Sequence, residues 1–228
     1  MQPIHNQAVK RVLDVGISAA FVLIAGPFLA AIALLSLIVQ GPPVFFVSRR
    51  FVGVDRDVKI YKFRTMVRDA TSVKYDLKGR YMRQGFLDIP TDCDVYTPLG
   101  RILERTEIVE MPQVLNVIFD RLSWVGNRPL PQDNIEMLRA FQGWEERFDS
   151  PCGLTGISQV IGKHKLVPAD RIAIERLYAR VYKRGNVLKA DLMIVLATLK
   201  LVLIGQEMEF DRAVEMLESC LPSEEVNA

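Results

Sequence analysis

The strongest feature of the hydrophobic pattern is an uncharged apolar run near the N-terminus, from Val15 to Val39. Its length of about 25 residues exceeds the roughly 20 that a helix needs to cross the hydrocarbon layer of a bilayer. A cleaved signal peptide fits less well, because the apolar part of such a peptide is only about 7–15 residues long. The pattern therefore predicts a helix embedded in a membrane.

The way this helix lies in the membrane is left open by its flanks. Lys10 and Arg11 precede the apolar run, and Arg49 and Arg50 follow it. Basic residues mark the cytoplasmic side, and here both flanks are basic. Pro27 lies near the middle, where it removes a helical hydrogen bond and favours a bend. A re-entrant helix that leaves on the face where it entered and a helix that crosses the bilayer are both compatible with these residues.

The remainder of the chain has mixed periodicity, which predicts a compact domain of helices with a few strands. We expect short helices and loops over residues 67–90, and a helix interrupted or kinked at Pro112. A short apolar stretch over residues 192–204, interrupted by Lys200, predicts either a core helix or one at the membrane interface. An acidic tail after residue 205 is expected to be helical and solvated. The regular elements predicted are a strand over Val58–Phe63, the helix over Pro98–Val117, and amphipathic helices over residues 132–148 and 169–183.

Composition narrows the possible functions. The formal net charge is +2, and the chain has neither a basic tail nor an aromatic RNA-binding motif, so nucleic acid is not expected as a partner. The three cysteines are widely spaced and odd in number, which favours a reducing compartment over a disulfide framework. Two histidines are too few for a typical zinc site.

A first group of candidate residues follows the membrane segment. Lys62 and Arg64 lie in the sequence KFRTM, and further cations precede them along the chain. Cations near a membrane suit lipid headgroups or a phosphate substrate. Ordinary positive-inside topology with a solvated face would give the same pattern.

A second group combines carboxylates and arginines. Glu107 and Glu110 are three residues apart, so a helix would place both on one face, with Arg101 and Arg105 one turn earlier. Arg128 follows in a turn rich in glycine and proline. Carboxylate oxygens can bind Mg²⁺ and guanidinium groups can bind phosphates, so this pattern fits a magnesium-diphosphate site. A charged surface helix is the alternative.

A third stretch, residues 150–165, contains three glycines that would let the backbone approach a ligand. Gln159 and Lys163 lie within it. Because many loops have this composition, the stretch indicates a substrate contact only in combination with the other groups.

Taken in order, these segments resemble the monotopic phosphoglycosyl transferases of the bacterial sugar transferase family. The resemblance covers almost the whole chain to about residue 205. The segments that carry it are KRVLDVGISA (10–19), IYKFRTM (60–66), TPLGRIL to VEMPQVLNV (97–117), LSWVGNRPLP (122–131), GLTGISQVIG (153–162) and DLMIVLATLKLVL (191–203).

The resemblance implies an enzyme that transfers a sugar-1-phosphate from a nucleotide diphosphate sugar to undecaprenyl phosphate, with Mg²⁺ as cofactor. This reaction starts exopolysaccharide or other cell-surface glycan synthesis. The implied location is the cytoplasmic membrane of a bacterium, monotopic, with the body facing the cytoplasm and the membrane helix re-entrant at Pro27. Membrane lipid, a second copy of the chain and downstream glycosyltransferases are expected partners. With nothing before the anchor, the chain would be the family's minimal form.

The resemblance also implies an unusual catalytic site. The family has an Asp-Glu dyad whose aspartate forms a covalent phosphosugar intermediate, within the sequence S-L-D-E-L-P-Q. Here Glu110 matches the magnesium-binding glutamate, whereas Val109 stands in place of the aspartate and Glu107 in place of the serine. A family arginine five residues before the aspartate corresponds to Glu104.

Three interpretations follow from Val109. Glu107 could act as the nucleophile in place of the aspartate. It lies two residues before the aspartate position, so in a regular helix its side chain would point in another direction. The lipid phosphate could instead attack directly, with Glu110 organising Mg²⁺. As an alternative function, the protein could be a catalytically inactive or divergent relative that acts as a membrane-bound interaction partner in glycan assembly.

The expected fold is mainly α with a small β component. We predict a re-entrant helix-break-helix anchor over residues 1–43, a cytoplasmic transferase domain with membrane-interface helices over 44–205, and the acidic tail over 206–228. The candidate catalytic residues are Glu110 and Glu107, with Glu110 also the metal ligand; the substrate-binding candidates are Lys62, Arg64, Arg101, Arg105, Arg128 and Gln159. The residues do not identify the sugar, the nucleotide or the oligomeric state.

Overall fold

The structure is a computed structural model, and it describes residues 2–83, 86, 87, 89–162 and 166–223. Lys163, one of the candidates of the glycine-rich stretch, lies outside these residues. Helices predominate and the strands form small two-stranded sheets, which confirms the predicted class of mainly α with a small β component.

The apolar run forms a single long helix, α1, Gln2–Gln40, with Pro27 inside it. The break predicted at this proline is not present as an interruption of the helix. Its most apolar window is only 6% buried, and the stretch Asn6–Gln40 is long and apolar enough to cross a membrane. These features fit membrane association.

Both ends of α1 pack against the rest of the chain. Near the N-terminal end, Lys10 Nζ donates hydrogen bonds to Asp191 Oδ2 at 2.6 Å and to Val125 O at 2.9 Å. Near the C-terminal end, Leu29 and Ile32 pack against a buried apolar cluster of the body. Between these contacts Asp14 and Ser18 are buried against the body, where they accept hydrogen bonds from Ser123 and Trp124. The apolar side chains of Leu23, Ile24 and Phe28 are instead 79%, 82% and 58% accessible.

The remaining elements pack into the body of the protein. The α-helices are α2, Leu77–Tyr81; α3, Pro98–Arg105; α4, Val114–Ile118; α5, Gln132–Leu138; α6, Ile157–Ile161; α7, Pro168–Arg184; α8, Val187–Ile204; and α9, Phe210–Glu218. The strands are β1, Phe45–Phe51; β2, Asp57–Phe63; β3, Met82–Arg83; β4, Phe86–Leu87; β5, Ser123–Val125; and β6, Gly153–Thr155. Two 3-10 helices cover Ile108–Gln113 and Trp144–Asp149. The strand predicted over Val58–Phe63 and the helix predicted over residues 169–183 are thus confirmed within a residue or two.

The β1–β2 hairpin is the sheet that bears on the site. Its strands are antiparallel, with Phe45 opposite Phe63 and Arg50 opposite Val58. Because alternate residues of a strand point to opposite faces, Arg50 and Lys62 share the inner face with Val58 and Ile60. That face carries two apolar side chains into the core and two cations toward the site.

The helix predicted over Pro98–Val117 is broken, which is a correction. Helix α3 ends at Arg105, and Glu107 has a left-handed backbone with φ of 55° before the first 3-10 helix begins at Ile108. Pro112 lies inside that 3-10 helix. Because proline has no backbone N–H to donate, a continuous α-helix through this position would lose a hydrogen bond. The predicted helix over 132–148 is likewise divided, with Gly143 in a left-handed conformation between α5 and the second 3-10 helix.

The acidic tail is helical, as predicted, but the prediction that it is solvated is wrong. The apolar face of α9 is inserted into the largest hydrophobic cluster, where Ala213 and Leu217 are fully buried. The same cluster contains residues of α6, α7 and α8. Helix α8 divides its apolar residues between this core and the surface, where Leu192 and Leu203 are 61% and 77% accessible.

Candidate functional site

The site is centred on the carboxylate of Glu110, in the first 3-10 helix. Its Oε1 accepts a hydrogen bond from Lys62 Nζ at 2.5 Å and another from Arg128 Nη2 at 2.9 Å. The three side chains are partly accessible, at 18%, 19% and 23%. Three distant segments of the chain therefore meet at one carboxylate that solvent or a substrate can still reach.

The same site contains more positive charge than Glu110 alone can balance. Arg50 projects from β1 toward this group, and burial together with the charge of Arg128 lowers the pKa of Arg50 to about 10. Burial likewise lowers the pKa of Lys62, although the charge of Glu110 opposes the shift. Cations whose charged forms are costly to bury can gain from an anionic ligand, so this group suits phosphate oxygens.

Two further carboxylates face the same cations. Glu104 is at the end of α3, where Oε1 accepts a hydrogen bond from Thr65 Oγ1 at 2.8 Å. Burial raises the pKa of Glu104, and the charges of Glu107 and Glu110 add to the rise. The charge of Glu110, followed by those of Glu107 and Glu104, raises the pKa of Arg128.

Glu107 approaches the site by a route other than the predicted one. The sequence predicted that a regular helix would align Glu107 with Glu110, and that helix ends before Glu107. The left-handed residue instead accepts a backbone hydrogen bond from Glu110 N at 3.2 Å. The turn therefore joins the two residues through their backbones, and a catalytic role for Glu107 stays a prediction.

Val109 points away from the charged groups. It is 3% accessible and belongs to a cluster with Phe63 and Leu103, against which Leu29 and Ile32 of α1 pack. The side chain at this position thus holds the first 3-10 helix against the membrane helix.

Arg64 has a different position from its neighbour Lys62. Its guanidinium donates to the backbone carbonyls of Pro43 at 2.7 Å, Gln40 at 2.9 Å, Gly41 at 2.7 Å and Met66 at 3.3 Å. These bonds use its donors at the C-terminal end of α1, where carbonyl groups lack helical partners. Arg64 therefore holds the end of α1, and its contact with substrate stays a prediction.

The other predicted substrate residues lie outside the described contacts of Glu110. Arg101 donates to Cys93 O at 3.5 Å, and Arg105 is exposed at the end of α3. Gln159 Nε2 donates to Leu154 O at 2.7 Å, and its buried Oε1 has no partner among the described residues. Substrate binding by these three side chains stays a prediction.

Sequence reasoning did not single out two members of the site: Arg50 was only one of several cations preceding KFRTM, and Glu104 was not a candidate. The register of the β1–β2 hairpin places Arg50 on the face of Lys62, but a register between strands cannot be read from either strand alone. Glu104 was noted only as a departure from the family pattern. Its spacing from Glu107 and Glu110 would have suggested a shared face on the helix that the sequence predicted.

Comparison with known proteins identifies the family of this chain. The model of the bacterial sugar transferase family matches residues 5–205. The chain is 32% identical over 86% of its length to the galactosyl transferase CpsE of Streptococcus agalactiae, and it covers 42% of that protein. It is 29% identical over 90% of its length to the exopolysaccharide production protein ExoY of Rhizobium meliloti, of which it covers 90%.

A third relative has a name that states its reaction. This is the UDP-glucose:undecaprenyl-phosphate glucose-1-phosphate transferase of Klebsiella pneumoniae, 28% identical over 85% of the chain, which covers 40% of that protein. The chain thus spans less than half of two of these relatives and most of the third. Because the family model extends from the start of the membrane helix to the end of α8, the chain belongs to the bacterial sugar transferase family.

Proposed function

We propose that this protein transfers a sugar-1-phosphate from a nucleotide diphosphate sugar to undecaprenyl phosphate, as the first step of exopolysaccharide or other cell-surface glycan synthesis. The observation that carries the proposal is the accessible group of Lys62, Arg128 and Arg50 around Glu110 in a chain of this family. A diphosphate has several anionic oxygens, and three convergent cations could bind them in one orientation.

Each cation has a distinct chemical use. Arg128 can bind two phosphate oxygens through its planar fork, whereas Lys62 offers a point charge. Glu110 positions both before substrate arrives, because it accepts a hydrogen bond from each. As charge develops on the departing nucleoside monophosphate, Arg128 and Arg50 would stabilise it.

Magnesium suits this donor set. Mg²⁺ prefers oxygen ligands and is usually held by one or two carboxylates together with substrate phosphates. Among the described residues, no three His, Cys, Asp or Glu side chains are arranged to hold a metal alone. Glu110 would therefore hold the ion jointly with the diphosphate, whose negative charge the bound ion would reduce.

We further propose that α1 is re-entrant and that the body faces the cytoplasm. From Lys10 to Gln40 a straight helix would be about 45 Å long, more than the roughly 30 Å of hydrocarbon. Both ends make polar contacts with the body, through Lys10 at one end and through Arg64 at the other. Placing the charged groups of the body in hydrocarbon would be costly, so both ends would lie at one membrane surface, with Pro27 near the buried tip.

The exposed apolar face of α8 extends this membrane surface. Leu196, Leu199 and Val202 are 51%, 50% and 60% accessible on that helix. Such a face would insert among acyl chains while Lys200 reaches the headgroups. This arrangement would hold the site beside the lipid phosphate acceptor.

The alternative of an inactive interaction partner is not favoured. The relatives carry names of transferases, and the site keeps its central carboxylate and its cations. A second copy of the chain or a downstream glycosyltransferase as partner stays a prediction.

A transfer assay tests the proposal. Protein in nanodiscs would receive undecaprenyl phosphate, Mg²⁺ and a panel of nucleotide diphosphate sugars, beginning with UDP-glucose and UDP-N-acetylgalactosamine, the donors in the names of two relatives. We expect release of the nucleoside monophosphate together with a lipid-linked product. Glu110→Gln should remove most of this activity, while the exposed Glu145→Gln should retain it. A wild-type protein that binds the lipid phosphate but releases no nucleoside monophosphate from any donor would contradict the proposal.

A further inference from the structure

The three carboxylates of the site differ in how they are bound. Glu110 Oε1 is held by two cations, so much of its negative charge is neutralised. Glu107 is exposed and extends from a left-handed turn. Glu104 is partly buried, and among the described residues its one hydrogen-bond partner is a neutral hydroxyl, Thr65 Oγ1. Its second oxygen has no described hydrogen-bond donor.

This difference matters for reactivity toward phosphorus. A carboxylate paired with two cations is a weak nucleophile because its electron density is already engaged. A carboxylate that is partly buried and held by one neutral donor, as Glu104 is, keeps its negative charge available for attack on phosphorus. The nucleophile must also lie near the cations that would bind the diphosphate. Glu104 meets this condition, because the positive charge of Lys62 opposes the rise that burial causes in its pKa.

Glu104 is also held rigidly. Thr65, its donor, accepts a backbone hydrogen bond from Thr97 N at 2.9 Å. Gly100 lies against the same residue so closely that a Cβ there would be 1.9 Å from Thr65 O. The first turn of α3 is thereby fixed to the segment after β2, which fixes the hydroxyl and the carboxylate relative to each other.

We propose that Glu104 is the nucleophile of this enzyme, a role that rests on the transfer reaction proposed above. In the first step a Glu104 carboxylate oxygen forms a bond to the phosphorus that bears the sugar. The bond from that phosphorus to the bridging oxygen breaks, and its electron pair leaves with the nucleoside monophosphate. In the second step an oxygen of the lipid phosphate bonds to the same phosphorus, and Glu104 leaves as a free carboxylate.

Trapping the intermediate tests this assignment. Wild-type protein in nanodiscs, without lipid phosphate, would be mixed with Mg²⁺ and a donor sugar labelled in the phosphate that it transfers. We expect the label to remain on the protein, to be released by hydroxylamine as acyl phosphates are, and to map by mass spectrometry to the peptide that contains Glu104. Adding lipid phosphate should transfer the label to lipid.

Substitutions separate a nucleophile from a structural residue. Glu104→Gln keeps an oxygen acceptor for Thr65 and should lower kcat by at least about 10³-fold and abolish labelling. Glu104→Asp should keep labelling while lowering kcat about 10²-fold, because its carboxylate is set back by one methylene. Glu145→Gln should match the wild type in both measurements.

Several results would overturn the assignment. Label on Glu107, or turnover retained by Glu104→Gln, would place the nucleophile elsewhere. Full turnover without labelled protein in any rapid-quench sample would favour direct attack by the lipid phosphate. Failure of the wild type to release any nucleoside monophosphate would instead reject the proposed function itself, so the two failures are distinguishable.

Discussion

Two glutamates of this protein are each bonded to two cationic groups, yet they have opposite environments. Glu175, in α7, accepts from Arg147 Nε at 2.7 Å and from Arg171 Nη1 at 3.5 Å, and its side chain is inaccessible to solvent. Glu110 accepts from Lys62 and Arg128 and remains 18% accessible. The pairs have similar chemistry, so the difference lies in what surrounds them.

The surroundings of Glu175 keep its cations out of reach of a ligand, since Arg147 and Arg171 are 0% and 3% accessible. Arg147 also donates to the backbone O of Arg128 at 2.7 Å, and Asn127 Nδ2 donates to the carbonyl oxygens of Arg147 and Glu175. These bonds fix the turn that presents the Arg128 side chain to Glu110. The buried pair therefore supports the accessible one, and the comparison separates a group that holds the fold from a group that can bind substrate.

The largest expected effect is on stability, from Glu175→Gln. Removing one charge of a buried pair leaves two arginines without their counterion, which typically costs about 3–5 kcal/mol of unfolding free energy. Denaturant-induced unfolding in detergent would measure the loss, with the exposed Glu145→Gln as control. A loss below about 1 kcal/mol would mean that the buried network is less important than its geometry indicates.

At the accessible pair, we expect a large loss of activity with little loss of stability. Arg128→Lys keeps the charge but removes the planar fork, so kcat/KM should fall about 10²–10³-fold. The unfolding free energy should change by less than about 1 kcal/mol, because the site is open to water. The transfer assay and the unfolding measurement would be made on the same preparation. If Arg128→Lys lowered the unfolding free energy but kept full specific activity, Arg128 would hold the fold and would not bind substrate.

Local patterns predicted part of this arrangement. The apolar run of α1, the alternation of β2 and the periodicity of α7 were each sufficient to predict the element, because each depends on neighbouring residues. The ordered motifs also pointed to Glu110, Lys62 and Arg128 as candidates, and the structure brings these three together.

The rest depended on tertiary contacts that no local pattern contains. Glu107 was expected in a helix, but the chain turns there into a left-handed conformation. Arg64 and Lys62 are two residues apart, yet one binds the end of α1 and the other binds Glu110. The apolar face of α9 is evident only when α7 and α8 are present to cover it.

A smaller effect is expected where backbone packing positions the site. Gly100→Ala would place a Cβ 1.9 Å from Thr65 O, so α3 must move away from the segment after β2. Overpacking of this kind costs about 1–3 kcal/mol, and a displaced Glu104 should also lower kcat. Gly16→Ala, where no atom lies within 4 Å of the new Cβ, is the matched control and should not lower stability. Equal stability of the two variants would contradict the close approach of Gly100 to Thr65 O.

The smallest expected effect has the opposite sign and concerns Glu104. Burial raises its pKa above the ordinary value of 4.5, so the folded protein binds this proton more tightly than the unfolded chain does. The contribution of this carboxyl to stability must then fall as pH rises through the interval between 4.5 and its folded pKa. Glu104→Gln removes that loss while keeping an acceptor for Thr65.

We therefore expect Glu104→Gln to equal the wild type in stability at pH values below this interval and to exceed it slightly at neutral pH. Thermal unfolding of both proteins across the pH range would measure the difference in their stability. Groups that titrate alike in the two proteins do not contribute to this difference. A variant less stable than the wild type at neutral pH would show that Glu104 stabilises the fold, as Glu175 does. A variant that gains stability and loses transfer activity would show a carboxylate kept at a cost to the fold because the reaction needs it.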